Sequence, residues 1–325
     1  MHARQLLTFT VMFVAHLGLA HAQEPAASSV AEILDHHDRL LIRDLAAYLQ
    51  KNPKADDRDQ AYASLFNKAI EHDWFADNEQ TALRYLQIDP DGPVKALARM
   101  IVTMARAQAG RHDQALLQYK ELMKGLGKVD QEEFATSFSD TFAASAVAAG
   151  EFATAREVYR ALDERFADVP TVREKVTREL NRLDKVGKPA PVFDARDLAG
   201  QSVRLESLKG KYVLVDFWAT WCSPCLAELP RLQEAYRKYK GAGFEIVSVS
   251  LDETRSAVAD FVKVRKLPWF QLHNATAGAD LVEAFGVSSI PATYLVDPEG
   301  KIIRLDLRGP ALDATLAKVL KASAK

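Results

Sequence analysis

Residues 211–230 read KYVLVDFWATWCSPCLAELP and carry both cysteines of the 325-residue chain, Cys222 and Cys225. The run Tyr212 to Trp218 is apolar and rich in β-branched and aromatic residues, which predicts a strand buried on both faces. A helix is predicted to follow at once, because Ser223 and Pro224 suit a first turn, where the N–H that proline lacks would be unpaired anyway. Cys222 then stands at the helix N-terminus, where unpaired N–H groups and the positive end of the helix dipole favour a thiolate over a thiol. That makes Cys222 the candidate nucleophile. Cys225, three residues on, shares its helix face within disulfide reach and suits a resolving thiol.

Two plainer uses of Cys-x-x-Cys fit less well. A structural bridge here would close a loop of about four residues, and loop entropy assigns it less than the roughly 3 kcal/mol of a 15-residue loop. A zinc site would need a second pair of ligands. The eight histidines show no His-x₃₋₅-His spacing near this segment, so only half a site is available. A redox pair between a strand and a helix is the reading that the context supports.

The segment Val215 to Cys225, VDFWATWCSPC, resembles the active-site segment of thioredoxin-fold oxidoreductases. Pro189-Ala190-Pro191-Val192-Phe193, Asp197-Leu198-Ala199-Gly200, Leu208-Lys209-Gly210-Lys211, Glu228-Leu229-Pro230 and Ser289-Ile290-Pro291-Ala292-Thr293 are similar to the exported TlpA/ResA-like branch of that superfamily. The resemblance covers residues 187–325. It implies an α/β thioredoxin-like fold with a central mixed sheet flanked by helices, and thiol-disulfide exchange without a cofactor or a metal. It also implies that Pro291 is cis and faces the cysteine pair, where the backbone of Ile290 pairs with an extended client chain. With Trp221 and Pro224, these residues are the expected substrate-binding set. No peroxidatic Pro-x-x-x-Thr-x-x-Cys pattern surrounds Cys222.

Two carboxylates accompany the pair. Asp216 points inward on the predicted strand, at the position that matches the buried carboxylate of thioredoxin and where many members of the branch have Asn. Burial would raise its pKa and suit it to exchange a proton with Cys225. Glu228, three residues after Cys225, matches the active-site Glu of the ResA-like proteins. The plainer readings are a buried acid held by hydrogen bonds for Asp216 and a solvated helix carboxylate for Glu228. Which of the two is the base stays open. Trp221 is expected to pack beside Cys222, Trp218 suits either the core or the site, and Trp269 lies in a segment that the branch inserts into the basic fold.

A net charge of -2 with 26% charged residues gives no reason to expect nucleic acid or an anionic membrane as a partner. Residues 1–22 read as a cleaved secretory signal, with basic Met1-His2-Ala3-Arg4, an apolar stretch from Leu6 to Ala20 and the small-x-small pattern Ala20-His21-Ala22. The apolar stretch is shorter than the roughly 20 residues of a spanning helix. A periplasmic location follows, and one cysteine pair retained in an oxidising compartment is there for exchange.

Residues 23–185 are predicted to be all helix. Gly110-Arg111-His112-Asp113-Gln114-Ala115 with Tyr119 and Leu122, and Gly150-Glu151-Phe152-Ala153-Thr154-Ala155 with Tyr159 and Leu162, are alike, and each follows an Ala-rich helix. They look like tetratricopeptide-type hairpins, with Pro170 expected to end a second helix. The 40-residue offset between Gly110 and Gly150 exceeds the usual 34 or so, so an insertion around Lys124 to Gln131 is expected. Such a stack offers a groove to a partner, or serves only for packing or dimerisation. Asp89-Pro90-Asp91-Gly92-Pro93 is expected to divide this half into two helical groups. His36, His37 and His72 are expected on the surface, and Trp74, Phe75 and Tyr85 in the core.

Residues 186–191 form the expected linker. In residues 192–325 the pattern predicts a hairpin (Val192 to Ala195, Ser202 to Leu205), a strand Glu245 to Ser250 and a helix Arg255 to Lys266. A helix Ala279 to Phe285, strands Ala292 to Val296 and Lys301 to Leu307, and a last helix Leu312 to Ala324 follow. Alternating strands and helices imply a parallel core with the site beyond the carboxyl end of a strand. The resemblance implies a reductant fed by a membrane thiol donor and acting on disulfides in exported clients, apocytochrome c or a metallochaperone being typical. The alternatives are a partner-binding scaffold and a disulfide isomerase.

Overall fold

The computed structural model describes residues 29–127 and 131–323. The expected signal segment, and part of the expected insertion near Gln131, lie outside them.

Eight helices occupy the first half of the described residues: α1 (Val30–Lys51), α2 (Arg58–Glu71), α3 (Phe75–Ile88), α4 (Lys95–Gln108), α5 (His112–Gly125), α6 (Glu132–Ala149), α7 (Phe152–Phe166) and α8 (Pro170–Leu183). The two similar segments form the hairpins α4–α5 and α6–α7. Gly110 (φ 72°) and Gly150 (φ 85°) make their turns, in the left-handed region that favours glycine. Three expectations change. Pro170 opens α8 at its first turn instead of ending α7, the helix position where its missing N–H costs nothing. The Asp89–Pro93 turn does not separate two groups: it folds α4 back along α3, and the Tyr85 hydroxyl at its base accepts the Val94 N–H at 3.2 Å. Trp74 is only half-buried, stacked on His72 at 4.2 Å and covered by the Arg39 guanidinium at 4.0 Å. His72 itself is half-buried against Asp38.

The second half opens with the hairpin β1 (Asp194–Arg196) and β2 (Ser202–Arg204). It continues through β3 (Tyr212–Trp218), α9 (Ser223–Tyr239), β4 (Phe244–Ser250), α10 (Arg255–Arg265), β5 (Phe270–His273) and α11 (Leu281–Phe285). The chain then runs through β6 (Ala292–Val296), β7 (Ile302–Leu305) and α12 (Gly309–Ser323). The sheet order is β5-β4-β3-β6-β7. β3, β4 and β5 run parallel to one another, β6 is antiparallel to β3, and β7 is antiparallel to β6. The mixed sheet is thioredoxin-like, with β3 at its centre. β7 is shorter than expected because Asp306 turns the chain at φ 51°, and α12 starts earlier, at Gly309.

The apolar core does not divide where the secondary structure changes. One cluster runs from Leu49 through the helices to Val213, Val215 and Phe217 on one face of the sheet. A second fills the other face, with Leu214, Trp218, Cys222, Cys225, Leu229 and Trp269. Residues 187–190 lie along β7: Gly187 N–H bonds to Ile302 O at 2.8 Å, and Ile302 N–H to Lys188 O at 3.0 Å. Among the described residues no helix is long and apolar enough to cross a membrane.

Candidate active site

β3 ends at Trp218, and four residues later the chain enters α9. Asp252, just past β4, holds this corner. Its carboxylate accepts the Thr220 hydroxyl at 2.5 Å and the Thr220 N–H at 3.1 Å, and also takes the Ser250 hydroxyl at 2.6 Å. The corner therefore presents Cys222 at the N-cap of α9, with Pro224 in the first turn.

Cys222 and Cys225 are joined as a disulfide, with Cα atoms 5.3 Å apart. The Cys225 N–H points at the Cys222 sulfur at 3.3 Å. On reduction that N–H and the helix end face the sulfur on which charge develops. Both cysteines are nearly buried, Cys222 at 5% and Cys225 at 3%, so position on the helix distinguishes them and exposure does not. Trp221, next to Cys222 in the chain, has 65% of its surface in solvent and leaves an apolar face beside the pair. Trp218 is core, at 1%.

The Ile290–Pro291 bond is cis, and Ile290 packs against the cluster that holds the disulfide. The Pro291 carbonyl accepts a bond from the Arg308 guanidinium.

Asp216 is 4% exposed, and its backbone lies opposite Ser248 on β4 and Thr293 on β6. Burial pushes its carboxyl from the ordinary 3.8 up to about 6; the Ser248 hydroxyl and the Arg308 charge oppose the shift, and Glu228 adds to it. The bond directions around Ser248 follow from donor chemistry. Trp269 Nε1 can only donate, and it bonds the Ser248 oxygen at 2.8 Å. The hydroxyl proton of Ser248 is therefore left for Asp216 Oδ2, 2.9 Å away. Glu228 is not a solvated carboxylate: its Oε2 accepts the Gly309 N–H at 2.9 Å, bridging α9 to the start of α12, where the helix dipole favours an anion.

Sequence reasoning missed Ser248, Asp252 and Arg308 and left Trp269 without a role. The usable signal for the first two was their place at the carboxyl end of β4, beside the strand that leads to Cys222. As a possible cation site, Asp38, Glu71 and His72 converge within 4.8 Å. The Lys68 ammonium already bonds Asp38 at 3.1 Å and Glu71 at 2.9 Å and supplies the positive charge there.

The sequence profile of the AhpC/TSA family matches residues 186–305. The thiol-disulfide oxidoreductase ResA of Bacillus thuringiensis subsp. konkukian is 38% identical over 137 residues, which are 42% of this chain and 78% of that protein. The chain belongs to the ResA-like thiol-disulfide oxidoreductases. ResA of Bacillus subtilis is 36% identical over 119 residues, 37% of this chain and 65% of that protein. The solved thioredoxin domain of a thiol-disulfide oxidoreductase from Bacteroides vulgatus is 38% identical, over 42% of this chain and 97% of that one, with a TM-score of 0.39. This ResA-like chain is thus a redox enzyme that acts on disulfide-containing client proteins, with its Cys-Ser-Pro-Cys pair at the head of α9.

Proposed function

We propose that the protein is an exported thiol-disulfide reductant of the periplasm, made of a cleaved signal (1–22), a tetratricopeptide-like helical domain (23–185), a linker (186–191) and a redox domain (192–325). The Cys222 thiolate attacks a client disulfide, forming a mixed disulfide and releasing one client thiolate. Cys225 gives its proton to the Asp216 carboxylate and attacks the Cys222 sulfur. The second client thiolate leaves, two electrons have passed to the client, and the Cys222–Cys225 disulfide remains. A membrane thiol donor then reduces that disulfide. Trp221, Pro224, Ile290 and Pro291 form the client surface, and Glu228 acts from α9, where its carboxylate holds the start of α12.

The observation that carries the direction is the acidic surroundings of the pair. Glu228 lies one turn beyond Cys225, and Asp216 is buried on the strand that leads to Cys222, its carboxyl raised chiefly by that burial and in smaller part by Glu228. Negative charge there opposes a thiolate, and a less stabilised reduced form makes a stronger reductant. Asp216 suits the proton step better than Glu228, whose carboxylate is tied to Gly309. Clients of the cytochrome c maturation type fit this direction.

The test is insulin reduction together with the midpoint potential. The expected value lies nearer thioredoxin's roughly -270 mV than the -120 mV or so of a strong oxidant, and a value above about -150 mV reverses the direction. With Cys225→Ser, mixed disulfides accumulate on Cys222 and identify the clients.

A further inference from the structure

We propose that Glu179 and Arg182, on the last helix of the helical half, are positioning residues for the client-binding loop of the redox half. The inference rests on the reading of Ile290–Pro291 as the place where clients pair. α8 reaches that loop from both sides through one guanidinium.

Arg182 bonds Glu179 Oε2 through Nε at 3.0 Å and Asp306 Oδ2 through Nη1 at 2.6 Å. The other oxygen of Glu179 accepts the Ser288 hydroxyl at 3.3 Å, on the approach to Pro291. Asp306 is the left-handed residue that ends β7, and its N–H bonds Thr293 O at 2.8 Å, just after Pro291. Its second oxygen lies 3.9 Å from Arg308, which holds the Pro291 carbonyl. Lys185, two residues past α8, bonds Ala284 O at 3.1 Å, in the helix that feeds the loop.

The chemistry of this seam is unlike that of the core around it. Arg182 and Glu179 keep only 13% and 11% of their side-chain surface, so both charges are largely taken out of water. Apolar residues of the same size would hold the halves together at least as well. A planar guanidinium that spans two carboxylates instead fixes direction, which a lysine or an apolar contact does not. What it fixes here is the position of the loop backbone on both sides of Pro291. Client pairing through that backbone is sensitive to shifts on the order of 1 Å. The cysteine pair and the Cys225 N–H are not part of the network; its one link to the proton step is Arg308, whose charge acts on Asp216, and Ser288→Ala, which leaves Asp306 and Arg308 in place, reads the positioning alone.

The test uses the full chain with Glu179→Gln, Arg182→Met and Asp306→Asn combined, so that no buried charge is left unpaired, and Ser288→Ala as a separate, milder variant. The expected result is a KM for insulin raised about tenfold in the triple variant and about threefold in Ser288→Ala, with kcat and midpoint potential unchanged. Should the triple variant fail to fold, Ser288→Ala alone decides. An unchanged KM in the folded variants overturns the proposal, as does a KM that rises together with a shifted potential. Ser289→Arg, which puts bulk on the exposed face of the loop, separates the two levels. If it raises the KM while the positioning variants do not, only the positioning is wrong; if it too leaves the KM unchanged, the client site is elsewhere and both readings fall.

Discussion

Two buried polar networks, one in each half of the molecule, serve opposite ends. In the helical half the Tyr119 hydroxyl sits 2.5 Å from Ser139 Oγ and 3.2 Å from Val158 O, and Ser139 also bonds Ala135 O. Each member is neutral and partnered, so the network fixes how α5, α6 and α7 meet and asks nothing of pH. In the redox half the buried network of Trp269, Ser248 and Asp216 ends on a carboxyl held at about 6. A group kept in its less favourable charge state at neutral pH weakens the fold, and such groups gather where chemistry is done. The contrast predicts that variants in the helical network change stability without changing chemistry, and that variants around Asp216 move the two in opposite directions.

The largest effect is expected at the sulfur itself. Cys222→Ser should lower insulin reduction by at least about 10³-fold while leaving the melting of the helical half where it was, as followed by circular dichroism. Retained turnover would move the chemistry out of the α9 head altogether.

Asp216→Asn comes next, and its sign can be worked out. The folded carboxyl titrates near 6 and the unfolded one near the ordinary 3.8, so between those values the folded state holds more protons. Stability from this group is present below about pH 4 and lost as pH rises to about 6. Asn does not titrate. Relative to the native protein the variant should gain about 3 kcal/mol by pH 8 and nothing at pH 4, in urea melts run across that range. Resolution of the mixed disulfide should slow by about 100-fold at the same time. A stability difference that stays flat with pH would place the charge elsewhere.

Ser248→Ala removes the hydroxyl that donates to the carboxylate. The loss of a hydrogen bond to a charged acceptor should carry the Asp216 titration up by a further one to two pH units, roughly, seen as a displaced inflection in the pH–rate profile. The smallest effect belongs to the helical half. Tyr119→Phe should cost about 1 kcal/mol and leave that profile unmoved; a moved inflection would erase the distinction between the halves.

Much of this was legible in residues 211–230. The buried strand, the turn and the helix capped by Cys222 are local, and the alternation along β3 already turned Asp216 inward. The helices of the first half were equally plain from their spacing. Pro170 was misread because proline suits the first turn of a helix as well as the space after one. Trp74 was misread because an aromatic ring can also be covered by a histidine and an arginine on the surface.

Taken alone, the order of residues determined the elements, the redox pair and the inward carboxylate, since each depends on backbone preference and apolar period within a few turns. Only the folded chain decided what those groups meet. Ser248 lies 32 positions from Asp216, and Arg182 reaches Asp306 across 124. Pairings over such separations leave no periodic trace, because they are set by which strand lies beside β3 and by where α8 comes to rest.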